Sequence, residues 1–346
     1  MLPDDIIGWD VGGAHLKAAH LNAQGEVLEV FQLPCPLWQG VDQLRAAISD
    51  IQRRWSTPPD RHAVTMTGEL VDLFSTRTEG VRTVIDVMQE QLCPATIELF
   101  AAARGFVKPD ASHNAESLIA SSNWLASASF LAHQLPQALF VDVGSTTTDI
   151  VAVSEGKVHA HGENDHDRMC QSELVYSGVV RTPLMALTRR VPFDGAWVPL
   201  MAEHFAVSAD IYRLTGELPE HADQHPAADN GPKTKQGSAR RLARMLGLDL
   251  EEASPQDWQQ LAGYFSEQQL QSLLAAVDHV LSRARLDADA PLVGAGVGRF
   301  LVKRLADRAG RPYVDLLSLF SSGRLAVGDP ADCAPAVAVA WLARCA

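Results

Sequence analysis

The feature that most constrains the fold of this chain is an internal repeat. IIGWDVGGAHLKAAHLNAQGEVLEV opens the sequence and ALFVDVGSTTTDIVAVSEGKVHA recurs near its middle, with Asp10 and Asp142 in equivalent positions. In each copy an apolar strand ends in Asp-Val-Gly, a tight turn follows, and a second strand returns. A polar turn, Ala-Gln-Gly-Glu or Ser-Glu-Gly-Lys, then leads to a third short strand. Glycine and small residues at the first turn let backbone N–H groups converge on one spot. One such hairpin per half predicts two similar α/β lobes whose hairpins face each other across one cleft. At 346 residues and 47% apolar composition, the chain can bury two cores. The expected division is 1–135 and 136–346, with the C-terminal helix packing back on the first lobe.

Between the hairpins the pattern is mostly helical. Residues 41–54, 115–134 and 268–285 read as helices, with a further helix from about Arg299. Residues 62–68 read as a buried strand ending at glycine, and 290–298 as a strand running into a glycine-rich turn. Residues 219–238, PEHADQHPAADNGPKTKQGS, lack periodicity and read as a lid-like insertion.

The chemistry concentrates at the turns. Asp142-Val143-Gly144-Ser145-Thr146-Thr147-Thr148-Asp149 sets a glycine and four consecutive hydroxyls between two acids. Hydroxyls and N–H groups donate to phosphate oxygens, and acids hold Mg²⁺ directly or through water. In the first hairpin Asp10 ends a strand, Gly12 and Gly13 allow close approach, and Lys17 would neutralise a phosphate. The late run Gly294-Ala295-Gly296-Val297-Gly298 suits either a nucleotide or phosphate at a helix N-terminus or a purely structural turn. Lys233, Lys235, Arg240, Arg241 and Arg244 form a basic cluster at the end of the insertion, either a phosphate clamp or a solvated helix face. His159, His161, His166 and Cys170 lie close together, but their spacing matches no standard zinc pattern, and no zinc site is expected.

The net charge of -13 argues against nucleic acid and anionic membrane partners, and an anionic small substrate would need a local cation cluster or a divalent metal. Five scattered cysteines without a CxxC fit a reduced compartment. The acidic start, MLPDDIIGWD, lacks the basic region of a signal peptide, and no apolar run approaches the ~18 residues of a membrane span. The expectation is a cytoplasmic protein, compatible with a homo-oligomer.

The two hairpins and the late glycine turn resemble the two phosphate motifs and the adenosine motif of the acetate/sugar kinase, Hsp70 and actin superfamily. The fold this implies is the two-lobed, actin-like, ribonuclease-H-like ATPase fold. A narrower likeness rests on DVGGAHLKAA, TMTGELVDLF, NWLAS, FVDVGSTTTDIV, SELVYSGVVRTPL, ADIYRLTGELPE, SARRLARMLG and ADCAPAVAVAWLA. These eight segments, in order along nearly the whole chain, resemble the hydantoinase/oxoprolinase-related family of tetrahydromethanopterin-linked one-carbon-transfer pathway proteins. The resemblance implies a transferase of methanofuran or methylofuran biosynthesis. Such an enzyme joins an aminomethyl-furanmethyl diphosphate to the phenol of a tyramine- or tyrosine-glutamate acceptor and releases diphosphate.

On that reading Asp10, Asp142 and Asp149 are the metal-side candidates, and Gly144, Ser145, Thr146 and Thr147 are the phosphate cradle. Lys17 and Arg181 neutralise charge, and Lys235 and Arg240 are the cluster residues assigned to the anionic substrate. Glu69, Glu173 and His15 are the candidates for proton transfer, and Tyr176 shapes an aromatic pocket. Helix capping and core packing account equally well for Glu69, Glu173 and Tyr176. Mg²⁺ is the expected cofactor. ATP enters with the competing readings, a small-molecule kinase and a lactam hydrolase, for which Gly294 and Gly296 would hold the nucleotide. A nucleotide-gated interaction protein is weakened by the lack of a separate peptide-binding domain.

Overall fold

The computed structural model describes residues 5–55 and 59–346. It begins with β1 (Ile6–Val11), β2 (His15–Leu21), β3 (Val27–Pro34), α1 (Asp42–Gln52), β4 (Arg61–Met66), α2 (Arg77–Leu92), β5 (Thr96–Phe100), β6 (Phe106–Val107), α3 (Glu116–Ile119) and α4 (Asn123–Gln134). The repeat then restarts as β7 (Gln137–Val143), β8 (Thr148–Ser154), β9 (Lys157–His159), α5 (Asp165–Cys170), β10 (Leu174–Val175), β11 (Arg190–Phe193) and β12 (Ala196–Pro199). Five helices and three strands complete the chain: α6 (Ser208–Thr215), α7 (Lys235–Leu246), α8 (Pro255–Arg283), β13 (Leu292–Ala295), α9 (Arg299–Ala309), β14 (Tyr313–Asp315), β15 (Ser322–Val327) and α10 (Ala334–Cys345).

The chain divides into two compact units, Met1–Pro136 with Val153–Val158 and Asp315–Ala346, and Gln137–Ala152 with His159–Val314. The first unit is built on a sheet of order β15-β3-β2-β1-β4-β5-β6, the second on β10-β8-β7-β13-β14 with β9 beside β8. The repeat extends beyond the hairpins. β1 pairs antiparallel with β2 and parallel with β4, which sets Asp10 opposite Lys17 and Thr65. β7 lies between β8 and β13, parallel to the latter, with Asp142 opposite Ala295. The late glycine turn is therefore the second unit's counterpart of the loop that follows β4.

Both strands are buried, and the residues behind each Asp anchor it. Trp9 donates its indole N–H to His62 Nδ1 at 3.0 Å within the first core. α10 lies against β1 so closely that a Cβ on Gly8 would sit 1.9 Å from the Ala336 carbonyl oxygen. This explains why α10 is alanine-rich: only small side chains permit that approach. The second core gathers Val141, Val143, Ile150 and Val179 from the hairpin region with Trp258, Phe265 and Leu273 of α8.

Three segments differ from their sequence expectations. The helix expected over 115–134 splits into α3 and α4, because Ser121 takes a positive φ and the Ser121 and Ser122 hydroxyls bond other side chains. The helix expected over 268–285 begins earlier, at Pro255, where Ser254 and Asp257 form a capping box. Within 219–238, α7 already starts at Lys235, capped by the Thr234 hydroxyl.

Candidate active site

The second hairpin has the geometry of an anion nest. The turn closes through Gly144 N–H to the Thr147 carbonyl at 2.9 Å. Its carbonyls are directed into a neighbouring loop: Gly144 O accepts from Val179 N at 3.0 Å, and Ser145 O accepts from Val180 N and Arg181 N at 3.0 and 2.9 Å. In a planar trans peptide the C=O and N–H point in opposite directions. The N–H groups of Ser145 and Thr146 therefore point away from that loop, converging as an anion site requires. Ser145 and Thr146 hydroxyls lie 3.4 Å apart on the same turn. The fourth hydroxyl, Thr148, is buried and donates to the Ser177 carbonyl at 2.7 Å, so it fastens the hairpin from behind. Arg181 and Tyr176 are both exposed beside the turn, Tyr176 at 62%.

Asp142 lies against the glycine run. A Cβ on Gly296 would fall 2.3 Å from Asp142 Oδ1 and 2.4 Å from the Val143 carbonyl oxygen, at a φ of +78°. Gly298 donates its N–H to Val143 O at 2.8 Å, and a Cβ on Gly294 would strike the Tyr313 ring at 2.8 Å. Packing against β7 thus accounts for Gly296 and Gly298, and packing against Tyr313 of β14 for Gly294. Asp149 is ion-paired at 2.9 Å with the buried Arg168 guanidinium, so a cation of the chain already faces it. Glu173 is buried and accepts from His161 N at 2.8 Å, Gly162 N at 3.0 Å and Arg283 Nη2 at 2.9 Å. Those bonds occupy its oxygens and hold a loop, which favours the structural reading over proton transfer.

The first hairpin shares the backbone and differs in chemistry. Gly12 N–H closes the turn on His15 O at 3.0 Å, while Gly13 O and Ala14 O accept from Leu37 N and Cys35 N at 3.1 and 2.8 Å. No hydroxyl stands on this turn. Asp10 is only 4% exposed, its Oδ2 is 4.0 Å from Lys17 Nζ, and its Oδ1 accepts from Asn123 Nδ2 at 3.3 Å. Asn123 at the start of α4 and Lys17 of β2 thus meet a carboxylate that is buried at its strand end. His15 is also buried. Glu69, fully buried on the loop after β4, accepts from Ser121 Oγ at 2.8 Å and from Arg77 Nη2 at 3.3 Å.

The basic cluster separates into two groups. Arg241, 2% exposed, donates to Asp210 Oδ1 at 2.7 and 2.9 Å and to Asp229 Oδ1 at 3.0 Å. Lys233 bonds the Asp223 carbonyl at 2.8 Å, and Arg244 bonds Asp249 at 2.7 Å. These three cations pair with carboxylates of the chain, and two of them tie down the insertion, which is why a segment without apolar periodicity is ordered. Lys235 and Arg240 are exposed.

Sequence reasoning missed Asn123, Arg168 and Asp332. Asn123 follows the serine pair that breaks the helical pattern, the one signal that marked it. Asp332 is buried near Cys333, whose thiol is pushed up to about 12 by burial and by the carboxylates of Asp332, Asp10 and Asp329 against the opposing charge of Lys17. Cys333 is therefore a packed thiol and no nucleophile. Among the described residues, no three His, Cys, Asp or Glu side chains converge as a metal cage.

Two α/β units, each with an Asp-ended hairpin beside a parallel strand, define the two-lobed actin-like, ribonuclease-H-like ATPase fold. The chain of nucleotide-free acetone carboxylase shares this fold at a TM-score of 0.59 and 11% identity, over 98% of this chain and 70% of that one. The chain belongs to the hydantoinase/oxoprolinase family, whose model matches residues 60–321. It is 29% identical, over 87% of its length and 88% of the relative's, to the (4-{4-[2-(gamma-L-glutamylamino)ethyl]phenoxymethyl}furan-2-yl)methanamine synthase of Methanocaldococcus jannaschii. The synthase of the same name from Methanococcus vannielii is 34% identical over 34% of this chain and 52% of that relative. Among the described residues no helix is long and apolar enough to cross a membrane.

Proposed function

We propose that this protein is a transferase of furan-coenzyme assembly. It condenses an aminomethyl-furanmethyl diphosphate with the phenol of a tyramine- or tyrosine-glutamate acceptor, forming an aryl ether and releasing diphosphate. The observation that carries this reading is the 29% identity to a named synthase over 87% of the chain and 88% of that relative. The nest at Gly144–Thr147 supports it, because a diphosphate leaving group needs N–H and hydroxyl donors more than it needs a nucleotide site.

The bond between the furfuryl carbon and the diphosphate oxygen breaks, and its electron pair leaves with the diphosphate. The furan oxygen spreads the positive charge left on carbon. The phenol oxygen forms the new bond and gives up its proton to a base of the chain. The turn N–H groups and the Ser145, Thr146 and Thr147 hydroxyls stabilise the departing charge, with Arg181 at the rim. The donor set at the second hairpin is all oxygen, one carboxylate with hydroxyls, which suits a hard cation held mainly by substrate phosphate and water. Mg²⁺ held there by Asp142 would supply further neutralisation of the diphosphate. We assign proton transfer to the first hairpin's surroundings, where His15 and Glu69 lie, rather than to Glu173. Lys235 and Arg240 are assigned to drawing the anionic substrate in against the net negative charge. Localisation in the cytoplasm and service to a tetrahydromethanopterin-linked pathway follow from the same reading.

Incubating the purified protein with both synthetic substrates and Mg²⁺ tests this. The expected result is equimolar ether and diphosphate, formed without nucleotide. ATP consumption coupled to phosphorylation or to opening of a cyclic amide, with no ether formed, would replace this reading by a kinase or a lactam hydrolase.

A further inference from the structure

We infer that Gln269, midway along α8, is a positioning residue for the phosphate cradle, acting through the Ser177 hydroxyl and the Gly178 backbone. The inference rests on the reading of the second hairpin as a diphosphate cradle. It begins with a helix whose inner face is apolar apart from Ser266 and Gln269. Phe265, Leu270, Leu273 and Val277 are buried there, and in their midst Gln269 is 0% exposed. A buried primary amide is costly unless its groups are bonded. Gln269 is bonded at both ends: Nε2 donates to Ser177 Oγ and to Gly178 O, each at 2.9 Å, and Oε1 accepts from the Tyr212 hydroxyl at 2.6 Å. The orientation of the amide is fixed by its partners, because a flip would set its oxygen against the Gly178 carbonyl.

Gly178 is where this network meets the cradle. A Cβ there would lie 2.5 Å from Ser145 C and Thr146 N and 2.6 Å from Gly144 O, so the bare Gly178 backbone presses directly on the turn. Side chains saturate the backbone groups of Gly178. Gly178 O accepts from both Gln269 and Thr182 Oγ1, the latter at 3.0 Å, and Gly178 N–H donates to Thr182 Oγ1 at 2.8 Å. The next three residues, Val179, Val180 and Arg181, supply the N–H groups that turn the cradle's carbonyls inward. The position of Gly178 therefore sets the direction of the Ser145 and Thr146 N–H groups. Gln269 and Tyr212 are buried struts behind it, and they touch no substrate.

The test is calorimetric titration of the whole protein with inorganic diphosphate in the presence of Mg²⁺, below the melting temperature, for wild type and for Gln269→Leu, Gln269→Glu and Tyr212→Phe. Gln269→Glu keeps the acceptor for Tyr212 and replaces the donor to Gly178 by a second acceptor, so diphosphate affinity should fall at least about tenfold. Gln269→Leu should weaken it by a similar factor, and Tyr212→Phe by about threefold. Turnover should show KM rising for the diphosphate substrate and unchanged for the phenolic acceptor. A fall in melting temperature with diphosphate affinity and both KM values unchanged would make Gln269 a core residue and overturn the inference. If the Gln269 variants do not fold, Tyr212→Phe and Thr182→Val carry the same comparison. Wild-type protein that binds no diphosphate would remove the cradle itself; wild type that binds it, with variants that bind equally well, would remove only the role of Gln269.

Discussion

The two hairpins of this chain have one backbone and two chemistries. Each ends its first strand in Asp-Val-Gly, closes on itself with one N–H···O bond, and turns its carbonyls into an adjoining loop. The second carries hydroxyls at Ser145, Thr146 and Thr147, and a polar network backs it. The first carries Gly12, Gly13 and Ala14, rests on Cys35 and Leu37, and encloses Asp10 with Lys17 and Asn123. The difference teaches that a repeated motif preserves the path of the chain while the side chains on it diverge. A turn with hydroxyls offers donors to an anion; a carboxylate already matched by an ammonium group needs no further cation.

The sharpest way to break the comparison is to remove the charge of each aspartate. Asp142→Asn should lower kcat by about 10²–10³, the usual cost of losing one group that stabilises developing charge, with little change in melting temperature. Asp10→Asn leaves the half-buried Lys17 beside a neutral amide and should lower the melting temperature as well as the rate. Equal behaviour of the two variants in both assays would erase the distinction.

Glycine substitution draws the same contrast in stability. Gly296→Ala forces a Cβ onto Asp142 and the Val143 carbonyl at a positive φ, and should cost about 3 kcal/mol. Gly13→Ala meets only the Val71 side chain, which can turn aside, and should cost under about 1 kcal/mol. Denaturant titration of both variants measures this, and the reverse order would show that the glycine run is not a support for Asp142.

The strands behind the aspartates should also part in acid. Burial lowers His62 to about 4, so it is neutral when it accepts from Trp9. Below its unfolded value of 6.5 the unfolded chain binds a proton that the folded chain refuses. Its contribution is therefore complete above that pH and is lost as pH falls toward 4, by up to about 3 kcal/mol. Val141 holds the place of Trp9 in the second hairpin, with no titrating partner in its register. A stability profile between pH 7 and 4 should slope downward on acidification for wild type and flatten in His62→Gln; parallel profiles would show that the pair adds no acid sensitivity.

Much of this contrast was legible in the sequence. The repeat, the strand-ending aspartates and the hydroxyl run are local, and local patterns survive reading one residue at a time. The family likeness supplied by the eight segments was legible for the same reason. The partners were not legible, because they come from distant chain. Asp149 met Arg168 and Asp10 met Asn123 through pairing that no spacing encodes. Glu173 looked like a candidate base until its two N–H donors and Arg283 were seen. Gln269 sits among several other glutamines in α8, and only its place on the apolar face sets it apart. The insertion at 219–238 lacks periodicity because ion pairs around Arg241, rather than apolar contacts, order it.

The central claim is that the second hairpin, and not the first, cradles the phosphates. It is tested most directly by the affinity for Mg²⁺-diphosphate of two variants, Ser145→Ala/Thr146→Val/Thr147→Val in the second turn and Lys17→Met in the first. With the second turn stripped of hydroxyls, affinity is expected to fall by at least about tenfold, while Lys17→Met changes it by less than about threefold. Undiminished binding in the triple variant, with binding lost in Lys17→Met, would contradict the account.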